Sequence, residues 1–365
     1  MRYRIAVGGA TGNVGTEMLA ILAARGFPAE RVVALASARS LGRSVAYGAQ
    51  RLPVADLARH DFSQTDILFL STGGDNSRQI SPAAAAAGCV VIDNSSAFRL
   101  DEAVPLLVPE VNADALQHWA MRRILPVANC STIQLAVALA PLHRAATIRR
   151  VVVATYQSVS GGGKRQIDRL KQEIEHASLD GSRVSWPNPA DDAVVPYAFN
   201  VIPHIDTFLA DGRTREEWKM EQELHKILDP AIRISTTCVR VPVLVGHAEA
   251  VNVEFAHPLD AAAARRCLAN AAGVSVHDTA NPGGYATPLS VAGKDEVFIS
   301  RLRRDETVPH GLNFWVVADN IRKGAALNAV QIAEGLIARA DFNSHVAARR
   351  DHATTTQAEN MPCMP

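Results

Sequence analysis

The sequence lacks an apolar run long enough to span a bilayer, which takes about 20 residues as a helix. The most apolar stretch, 133–142, is much shorter, and we interpret it as a buried helix. Residues 1–7 contain two basic side chains but lead directly into a glycine turn, without the apolar core of a secretory signal. We therefore expect neither a membrane anchor nor secretion.

Cysteine is scarce, and the cysteines that occur are far apart. None of them forms the CxxC spacing of a zinc site, and their odd number argues against a disulfide framework. This usage is typical of the reducing cytoplasm, and it predicts a cytoplasmic protein without a metal centre. The five are Cys89, Cys130, Cys238, Cys267 and Cys363.

An excess of either charge is also missing. The chain has 37 basic and 37 acidic residues, so its formal net charge is zero. Binding to nucleic acid needs excess positive charge, so we expect no nucleic-acid partner. Hydrophobic residues make up 48% and charged residues 20% of the 365 residues, which is the balance of a globular protein. At about 150 residues per domain, this length predicts two domains.

Hydrophobic patterning places alternating strands and helices in the first half of the chain. Apolar strands are predicted at 4–7, 31–36, 67–70 and 89–92, with helices at 18–24 and 82–87 between them. Strands separated by helices indicate a parallel sheet with right-handed crossovers. The fold class is therefore α/β, beginning with a Rossmann-like domain.

The pattern changes near residue 150. A strand at 151–155, a polar helix at 164–176 and a loop at 185–192 precede longer strands at 238–245, 251–255, 297–302 and 313–318. They predict a second, α+β domain with a mixed sheet. A last helix is predicted at 325–339. We divide the chain into a nucleotide-binding domain at 1–128, completed by 321–340, a second domain at 129–320, and a disordered tail at 341–365.

The first predicted strand ends in a glycine-rich turn. Gly9, Gly12 and Gly15 are spaced so that the backbone turns tightly and approaches a pyrophosphate, which the following helix N-terminus would bind. A position after a strand and before a helix strengthens this otherwise weak signal. The alternative is a glycine turn without a ligand.

The end of the second strand indicates which cofactor is bound. NAD sites usually carry an acidic residue there. This chain instead has Arg39 between Ser37 and Ser40, which suits the 2′-phosphate of NADP. The alternative is that Arg39 is an ordinary surface arginine.

One cysteine has a position that is typical of a nucleophile. Cys130 directly precedes the apolar helix at 133–142, and a helix N-terminus lowers a thiol pKa by stabilising the nucleophilic thiolate. A buried structural role is the alternative for Cys130. It is our interpretation of Cys89, Cys238 and Cys267.

Several short segments, taken together and in order, resemble the aspartate-β-semialdehyde dehydrogenase family across residues 4–340. They include GATGNVG at 9–15, VIDNSSAFR at 91–99 and NCST at 129–132. Further matching segments lie at 37–40, 155–157, 198–203, 216–219, 238–242, 246–247 and 318–326. The resemblance implies a glyceraldehyde-phosphate-dehydrogenase-like fold, with a C-terminal catalytic and dimerisation domain and a homodimer.

The resemblance also implies a reaction. In that family a cysteine, here Cys130, attacks aspartate semialdehyde, hydride passes to NADP⁺, and phosphate releases the thioester as aspartyl phosphate. Biosynthesis of lysine, threonine, methionine and diaminopimelate uses the reverse direction with NADPH. An activated thiolate that divides a difficult step into two easier ones agrees with this chemistry.

Roles for individual residues follow from the same resemblance. His247 would be the general acid/base and Gln157 would orient the substrate. Arg240 would bind the substrate carboxylate, Glu216 its amino group, and Lys219 and Arg99 the phosphate. The cofactor contacts would be Gly9, Thr11, Gly12, Asn13, Val14, Arg39, Ser40, Ser160, Gly161 and Asn320.

The residues alone allow plainer interpretations of some of these positions. A histidine at the end of the strand 238–245 is more often structural. Glu216 and Lys219 are three apart and would form an ordinary surface ion pair. Thr214 and Glu217 have the spacing of a capping box that opens a helix.

The chain departs from the family where the nucleophile is held. The family commonly reads Ala-Asn-Pro-Asn-Cys, whereas this chain has Val127 and Ala128 before Asn129 and Cys130. This departure leaves an NADP-binding paralogue with impaired catalysis as one alternative. N-acetyl-glutamyl-phosphate reductase is the other, although its acetylated substrate offers no free amine for Glu216.

Overall fold

A computed structural model describes residues 3–180, 183–185 and 195–359. Its first half is built on a seven-stranded sheet with the order β3-β4-β2-β1-β5-β6-β7, parallel except where β3 pairs with β4. The strands are β1 (Ile5–Gly8), β2 (Val32–Ala36), β3 (Ser44–Tyr47), β4 (Gln50–Asp56), β5 (Ile67–Leu70), β6 (Val90–Asp93) and β7 (Ile124–Pro126).

Short apolar strands lie at the centre of this sheet because helices cover both faces. Every residue of β1, β5 and β6 is buried, as expected for parallel strands packed on two sides. The accompanying helices are α1 (Asn13–Ala24), α2 (Gly74–Ala86) and the short α3 (Pro109–Asn112). The helix predicted at 82–87 is therefore the last part of α2, whose polar first turns hid its start.

The second half contains a six-stranded mixed sheet with the order β11-β8-β12-β15-β14-β13. Its strands are β8 (Ile148–Gln157), β11 (Arg233–Arg240), β12 (His247–Phe255), β13 (Val274–Val276), β14 (Val297–Asp305) and β15 (Gly311–Ala318). A separate hairpin pairs β9 (Ser178–Asp180) with β10 (Arg183–Ser185). An α/β fold with an N-terminal parallel sheet and a second α+β part is thus confirmed.

One face of the second sheet is covered by the buried helix α4 (Cys130–Ala146), which contacts β8, β12, β14 and β15. The other helices are α5 (Lys164–His176), α6 (Arg215–Ile227), α7 (Ala261–Ala269), α8 (Pro288–Val291) and α9 (Leu327–Ile337). A π-helical turn, Arg322–Ala326, leads into α9, which packs on α1 and β6 of the first sheet. After the last strand of the second sheet, the chain therefore returns to the first sheet.

The strand predicted at 238–245 is wrong in its second half. β11 ends at Arg240, and Pro242, which has no backbone N–H to donate, lies in the irregular segment that follows. Gly246 then turns the chain with a φ of +97°, so that His247 begins β12 instead of following a strand. The loop predicted at 185–192 lies largely outside the described residues.

The disordered tail predicted from residue 341 is also wrong for most of its length. Residues 340–359 form a helix, α10 (Ala340–Glu359), and its first half packs on the first sheet's domain. Phe342 and Val346 are fully buried there, and the Phe342 ring packs edge-on against Trp119. Two apolar side chains in one polar segment were too weak a signal to show this docking. Residues 360–365, including Cys363, lie outside the described part.

Candidate active site

A cleft of about 410 Å³ lies between the two sheets and brings together residues that are far apart in the sequence. Residues of the first domain meet residues of α4, α6, β8 and β11 there. Of the predicted site residues, the lining includes Val14, Arg99, Cys130, Gln157, Ser160, Gly161, Glu216, Lys219, Arg240 and Asn320.

Cys130 lies at a helix N-terminus, as predicted, but it is the first residue of α4, which begins three residues before the predicted helix, and Asn129 caps it. The Asn129 Oδ1 accepts hydrogen bonds from the backbone N–H groups of Ser131 at 2.9 Å and Thr132 at 3.4 Å. A short polar side chain at this position satisfies N–H groups that the helix itself cannot. The cap therefore fixes the start of the helix and the residue that would act as nucleophile.

The predicted effect of this helix N-terminus on the thiol is not what the structure shows. Burial at the bottom of the cleft, with the nearby Glu216 carboxylate, raises the pKa of the Cys130 thiol to about 12, although Arg99 and Arg240 oppose the shift. Loss of hydration disfavours the thiolate more than these cations favour it. The residue keeps partial access to solvent, and in the ligand-free protein it is a thiol at neutral pH.

His247 lies behind this cleft and is fully buried. Its Nδ1 accepts a hydrogen bond from the Ser158 backbone N–H at 3.1 Å. Because an N–H group can only donate, this bond assigns the proton of the neutral ring to Nε2. Nε2 points toward Gly161, 3.2 Å from where a Cβ of that glycine would be, and has no partner among the described residues.

Burial also decides the charge of His247. Loss of hydration, with the positive charge of Arg240 nearby, lowers the pKa of the ring to about 3. The ring is therefore neutral at physiological pH and carries an unpaired N–H directed toward Gly161, which lines the cleft. A donor in this state suits an oxygen atom that gains negative charge.

Glu216 and Lys219 form an ion pair of 2.7 Å on α6, but not on the surface as their spacing alone suggested. Their side chains are 7% and 14% exposed and line the cleft. Burial acts against both charges, yet each holds the other: Lys219 keeps the pKa of Glu216 low, and Glu216 with Asp206 keeps that of Lys219 high. The capping box of Thr214 and Glu217, predicted from spacing, is confirmed.

Two polar side chains at the ends of adjacent strands complete the cleft. Arg240 ends β11 and pairs in register with Gln157, which ends the parallel strand β8. The Arg240 Nη1 donates to the Ser158 carbonyl at 2.6 Å, and the Gln157 amide donates to the Glu216 carboxylate at 3.5 Å. Parallel pairing thus places an amide and a guanidinium side by side.

The sequence analysis missed three residues that hold this site together. Glu223 bonds both Arg99 and the backbone at Asn129, and its position seven residues after Glu216, on the same helical face, was a usable signal. Gly324 packs directly on Cys130. Ser158 anchors His247. Nothing in local sequence pattern marks the last two.

A second groove, of about 730 Å³, runs along the carboxyl ends of the first sheet's strands. Predicted residues Gly9, Thr11, Gly12 and Arg39 line it, and Thr72 and Asn76, which the sequence analysis missed, lie opposite. The hydroxyl of Ser40 is 3.4 Å from that of Thr11. The predicted turn and arginine therefore share one groove.

The glycine turn is built for close approach. Gly9 has a φ of +83°, and a Cβ there would stand 2.3 Å from the Ser71 carbonyl oxygen. A Cβ on Gly15 would stand 2.2 Å from the Gly9 oxygen, so neither position accepts a side chain. The side-chain nitrogen of Asn13, at the start of α1, is buried and has no hydrogen-bond partner among the described residues. An unpaired N–H donor beside a glycine turn that leaves room for close approach fits a phosphate-bearing ligand.

Neither a cluster of metal-ligating side chains nor a membrane-spanning helix occurs among the described residues. Across 3–180, 183–185 and 195–359, His, Cys, Asp and Glu side chains do not gather in groups of three or more that could hold a metal ion. In the same ranges, none of the helices has the length and apolar character required to cross a membrane.

Two family models match the chain. Residues 4–119 match the semialdehyde dehydrogenase NAD binding domain, and residues 139–323 match the semialdehyde dehydrogenase dimerisation domain. Together they cover most of the chain and include every predicted site residue except Cys130. That residue lies in the interval between the two matches.

Individual proteins give the same result. The chain is 48% identical over 334 residues to an aspartate-semialdehyde dehydrogenase of Legionella pneumophila, covering 90% of this chain and 94% of that protein. It is 44% identical to the Rickettsia bellii enzyme, with coverage of 92% and 98%.

Solved structures agree. Aspartate semialdehyde dehydrogenase II of Vibrio cholerae, complexed with ASA, matches with a TM-score of 0.86 at 44% identity, covering 92% of this chain and 98% of that one. These similarities, together with the site geometry, show that the chain belongs to the aspartate-semialdehyde dehydrogenase family.

Proposed function

We propose that the protein is an NADP-dependent aspartate-semialdehyde dehydrogenase that interconverts aspartyl 4-phosphate and aspartate 4-semialdehyde. One observation carries this proposal: Cys130 opens into a cleft that also contains three cations, Arg99, Lys219 and Arg240, and the buried carboxylate of Glu216. A substrate with an amino group, a carboxylate and a phosphoryl group needs this combination of charges.

Each charge has a counterpart on the substrate. Arg240 offers a guanidinium to the α-carboxylate, which it can bind through two parallel hydrogen bonds. Glu216 would receive the α-amino group and Lys219 the phosphate, so the substrate replaces part of their mutual contact. Arg99 is the second cation for the phosphate. An acetylated amine has no charge for Glu216, which favours the aspartyl substrate over N-acetyl-glutamyl phosphate.

The chain's own groups account for the acyl transfer. In the biosynthetic direction, the Cys130 sulfur bonds to the acyl carbon, and the carbon–oxygen bond to phosphate breaks. Phosphate leaves with the bonding electrons and is stabilised by Arg99 and Lys219. The thiol must lose its proton in this step, and the substrate's phosphoryl oxygens are a base that would accept it and leave as hydrogen phosphate. Gln157 orients the acyl group beside the sulfur.

His247 would act in the reduction that follows. NADPH, when bound, would supply the hydride that adds to the thioester carbon. The carbon–sulfur bond then breaks, the carbonyl re-forms as the aldehyde, and the Cys130 sulfur leaves as a thiolate that takes up a proton. As the acyl oxygen gains negative charge, the Nε2–H of His247 donates a hydrogen bond to it, with no reorganisation of the ring. This is the acid half of the predicted acid/base role, and it agrees with the proton assignment made by Ser158.

The nucleotide groove fits NADP. Gly9 and Gly12 would admit the pyrophosphate, with Thr11, Asn13 and Val14 at the start of α1. Arg39 and Ser40 would bind the 2′-phosphate. Ser160, Gly161 and Asn320, in the catalytic cleft, would border the nicotinamide. The division into domains at 128 and 320 is part of this proposal, and it is supported by Ala128, Asn129 and Asn320, which all line the catalytic cleft.

A homodimer is part of the proposal. The face of the six-stranded sheet that α4 does not cover has a mostly apolar depression of about 500 Å³, lined by Ala154, Ala250, Tyr285 and Trp315 among others. These residues belong to the part that matches the dimerisation model. A second copy of the chain would bury this face. The cytoplasmic location stays a prediction.

The test is NADPH formation from aspartate semialdehyde, phosphate and NADP⁺, for the wild type and Cys130→Ala together. Turnover that the variant loses supports substrate, cofactor and nucleophile at once. A folded wild type that binds NADP without turning over this substrate contradicts the proposal. N-acetyl-glutamate semialdehyde then separates the sibling reductase from a paralogue with impaired catalysis.

A further inference from the structure

Glu223, on the buried face of α6, joins the segment that precedes the nucleophile to the phosphate-binding arginine. One carboxylate oxygen accepts the backbone N–H of Asn129 at 2.6 Å, and the other accepts the Arg99 Nη1 at 3.0 Å. Glu223 itself is 1% exposed. Its two partners come from different segments, one preceding the nucleophile and one following β6.

The first partner sets the position of the nucleophile. Asn129 caps α4 through its side-chain oxygen, and its side-chain nitrogen donates to Glu216 at 2.9 Å. Its backbone N–H donates the hydrogen bond that Glu223 accepts. Two glutamates on one face of α6 therefore hold Asn129 at two points, and Cys130 is the next residue.

The second partner is the phosphate-binding cation. The Arg99 Nε donates to the Val127 carbonyl at 2.8 Å and its Nη2 to the Asn94 carbonyl at 2.9 Å. Glu223 is the charged acceptor on this guanidinium, and the side chains are 9% and 1% exposed. Three of the five guanidinium N–H groups are used in this way, which leaves two for a ligand in the cleft that Arg99 lines.

We propose that Glu223 is a positioning residue that sets the distance between the Cys130 sulfur and the phosphate-binding face of Arg99. This inference rests on the function proposed above. It adds that one carboxylate couples acyl transfer to phosphate binding. A displacement of about 1 Å between such groups can cost about 100-fold in rate.

Only a carboxylate meets the requirement. Both groups that face Glu223 are N–H donors, and each needs its own acceptor oxygen. A glutamine of the same shape has one oxygen and one NH₂ group. In either orientation its NH₂ would face a donor, so one of the two contacts must open.

The sequence of the loop makes this contact more important here. The family's proline before the Asn-Cys pair is Ala128 in this chain, so the loop lacks the fixed φ of a proline. Hydrogen bonds restrain it instead: Val127 donates to the Asp93 carbonyl at 2.8 Å and accepts from Arg99, and Asn129 donates to Glu223. Glu223 takes part in the restraint nearest the nucleophile.

The experiment compares Glu223→Gln with Glu221→Gln in the full-length protein. Glu221 is on the same helix and pairs with Arg213 at 2.5 Å, away from the cleft, so it receives the same chemical change without the same contacts. We expect Glu223→Gln to lower kcat about 100-fold and to raise the KM for phosphate at least tenfold. The KM for NADP⁺ and the Glu221→Gln kinetics should stay within about twofold of wild type.

A second variant separates positioning from folding. Glu223→Asp keeps the charge opposite Arg99, so the fold retains its buried ion pair, but the shorter side chain cannot reach both donors. We expect the same combined loss of kcat and phosphate affinity from it. Wild-type kinetics in either folded variant, or a loss that only follows the folded fraction measured by circular dichroism, overturns the proposal.

Introducing the family's proline at position 128 separates the effect of Glu223 on the nucleophile loop from its effect on Arg99. In Glu223→Gln/Ala128→Pro the loop is restrained from within, while Arg99 still lacks its carboxylate. We expect kcat to recover at least tenfold and the phosphate KM to stay raised. Joint recovery of both, or of neither, contradicts a coupling role for Glu223.

The proposal remains testable if the proposed substrate is wrong. Inorganic phosphate should protect Cys130 of the wild type from iodoacetamide, with Cys130→Ala as the reference for other thiols. In Glu223→Gln the phosphate concentration for half protection should rise at least tenfold. Absence of wild-type turnover counts against the function, whereas equal protection in both proteins counts against the role of Glu223.

Discussion

Gly324 of the π-helical turn lies directly against Cys130, so closely that a Cβ on the glycine would stand 2.8 Å from the Cβ of the cysteine. The turn is anchored beside this contact, since Lys323 is fully buried and donates to Glu110 at 2.6 Å. The nucleophile is therefore confined between its own helix and a turn that arrives from the far end of the chain.

Gly324→Ala should lower kcat about 10- to 100-fold. The new methyl group must move Cys130 or the turn by about 1 Å, because carbon atoms in contact are normally 3.5–4.0 Å apart. Steady-state kinetics measure the effect, and NADP⁺ affinity by fluorescence should not change. Gly335→Ala in α9 is the control, because its methyl group would meet only the end of the flexible Leu116 side chain. Unchanged kcat in Gly324→Ala would show that the contact tolerates a methyl group.

The neutral state of His247 makes stability depend on pH. The pKa of the buried ring is about 3, whereas in the unfolded chain it is about 6.5. Below pH 6.5 the unfolded chain therefore takes up a proton that the native protein does not, which favours unfolding. From pH 7 to pH 5 this group should lower the free energy of unfolding by about 2 kcal/mol.

Urea unfolding of wild type and His247→Gln at the two pH values measures this contribution. The wild type should lose about 2 kcal/mol more than the variant between pH 7 and pH 5, because glutamine does not titrate. Equal losses in the two proteins would mean that the ring is not held neutral.

Arg39 should determine the preference for NADP over NAD. It is exposed at the edge of the nucleotide groove, and a charge-assisted hydrogen bond to the 2′-phosphate is worth about 1.5–3 kcal/mol. Arg39→Ala should therefore raise the KM for NADP⁺ at least tenfold and leave the KM for NAD⁺ unchanged. Arg51→Ala on β4, which bonds Ser44 outside the groove, is the matched control. Equal increases in the KM for NADP⁺ and for NAD⁺ would show that Arg39 does not discriminate between the two cofactors.

The C-terminal helix should stabilise the protein without taking part in catalysis. Phe342 is fully buried between Tyr3 and Trp119, with ring centroids 5.8 and 5.4 Å away. Phe342→Ala should lower the free energy of unfolding by about 3–5 kcal/mol, with kcat unchanged. Phe208→Ala, at a side chain that is 62% exposed, should cost far less. Similar stability for both variants would show that α10 is not docked.

The sequence by itself determined the local parts of the site. The glycine turn and the Thr214–Glu217 capping box depend on residues within one or two turns of each other. Their geometry follows from spacing alone, because backbone hydrogen bonding at a helix start is local. The same is true of the short buried strands that define the first sheet.

Only the tertiary structure decided how these parts act together. Arg99 and Glu223 are separated by 124 residues, yet they form one buried ion pair beside the nucleophile. Burial then reversed the expected shift of the Cys130 pKa and removed the Glu216–Lys219 pair from the surface. Desolvation depends on everything packed around a group, which no local pattern contains. Residue types thus set the available chemistry, and long-range packing set the charge state and position in which it operates.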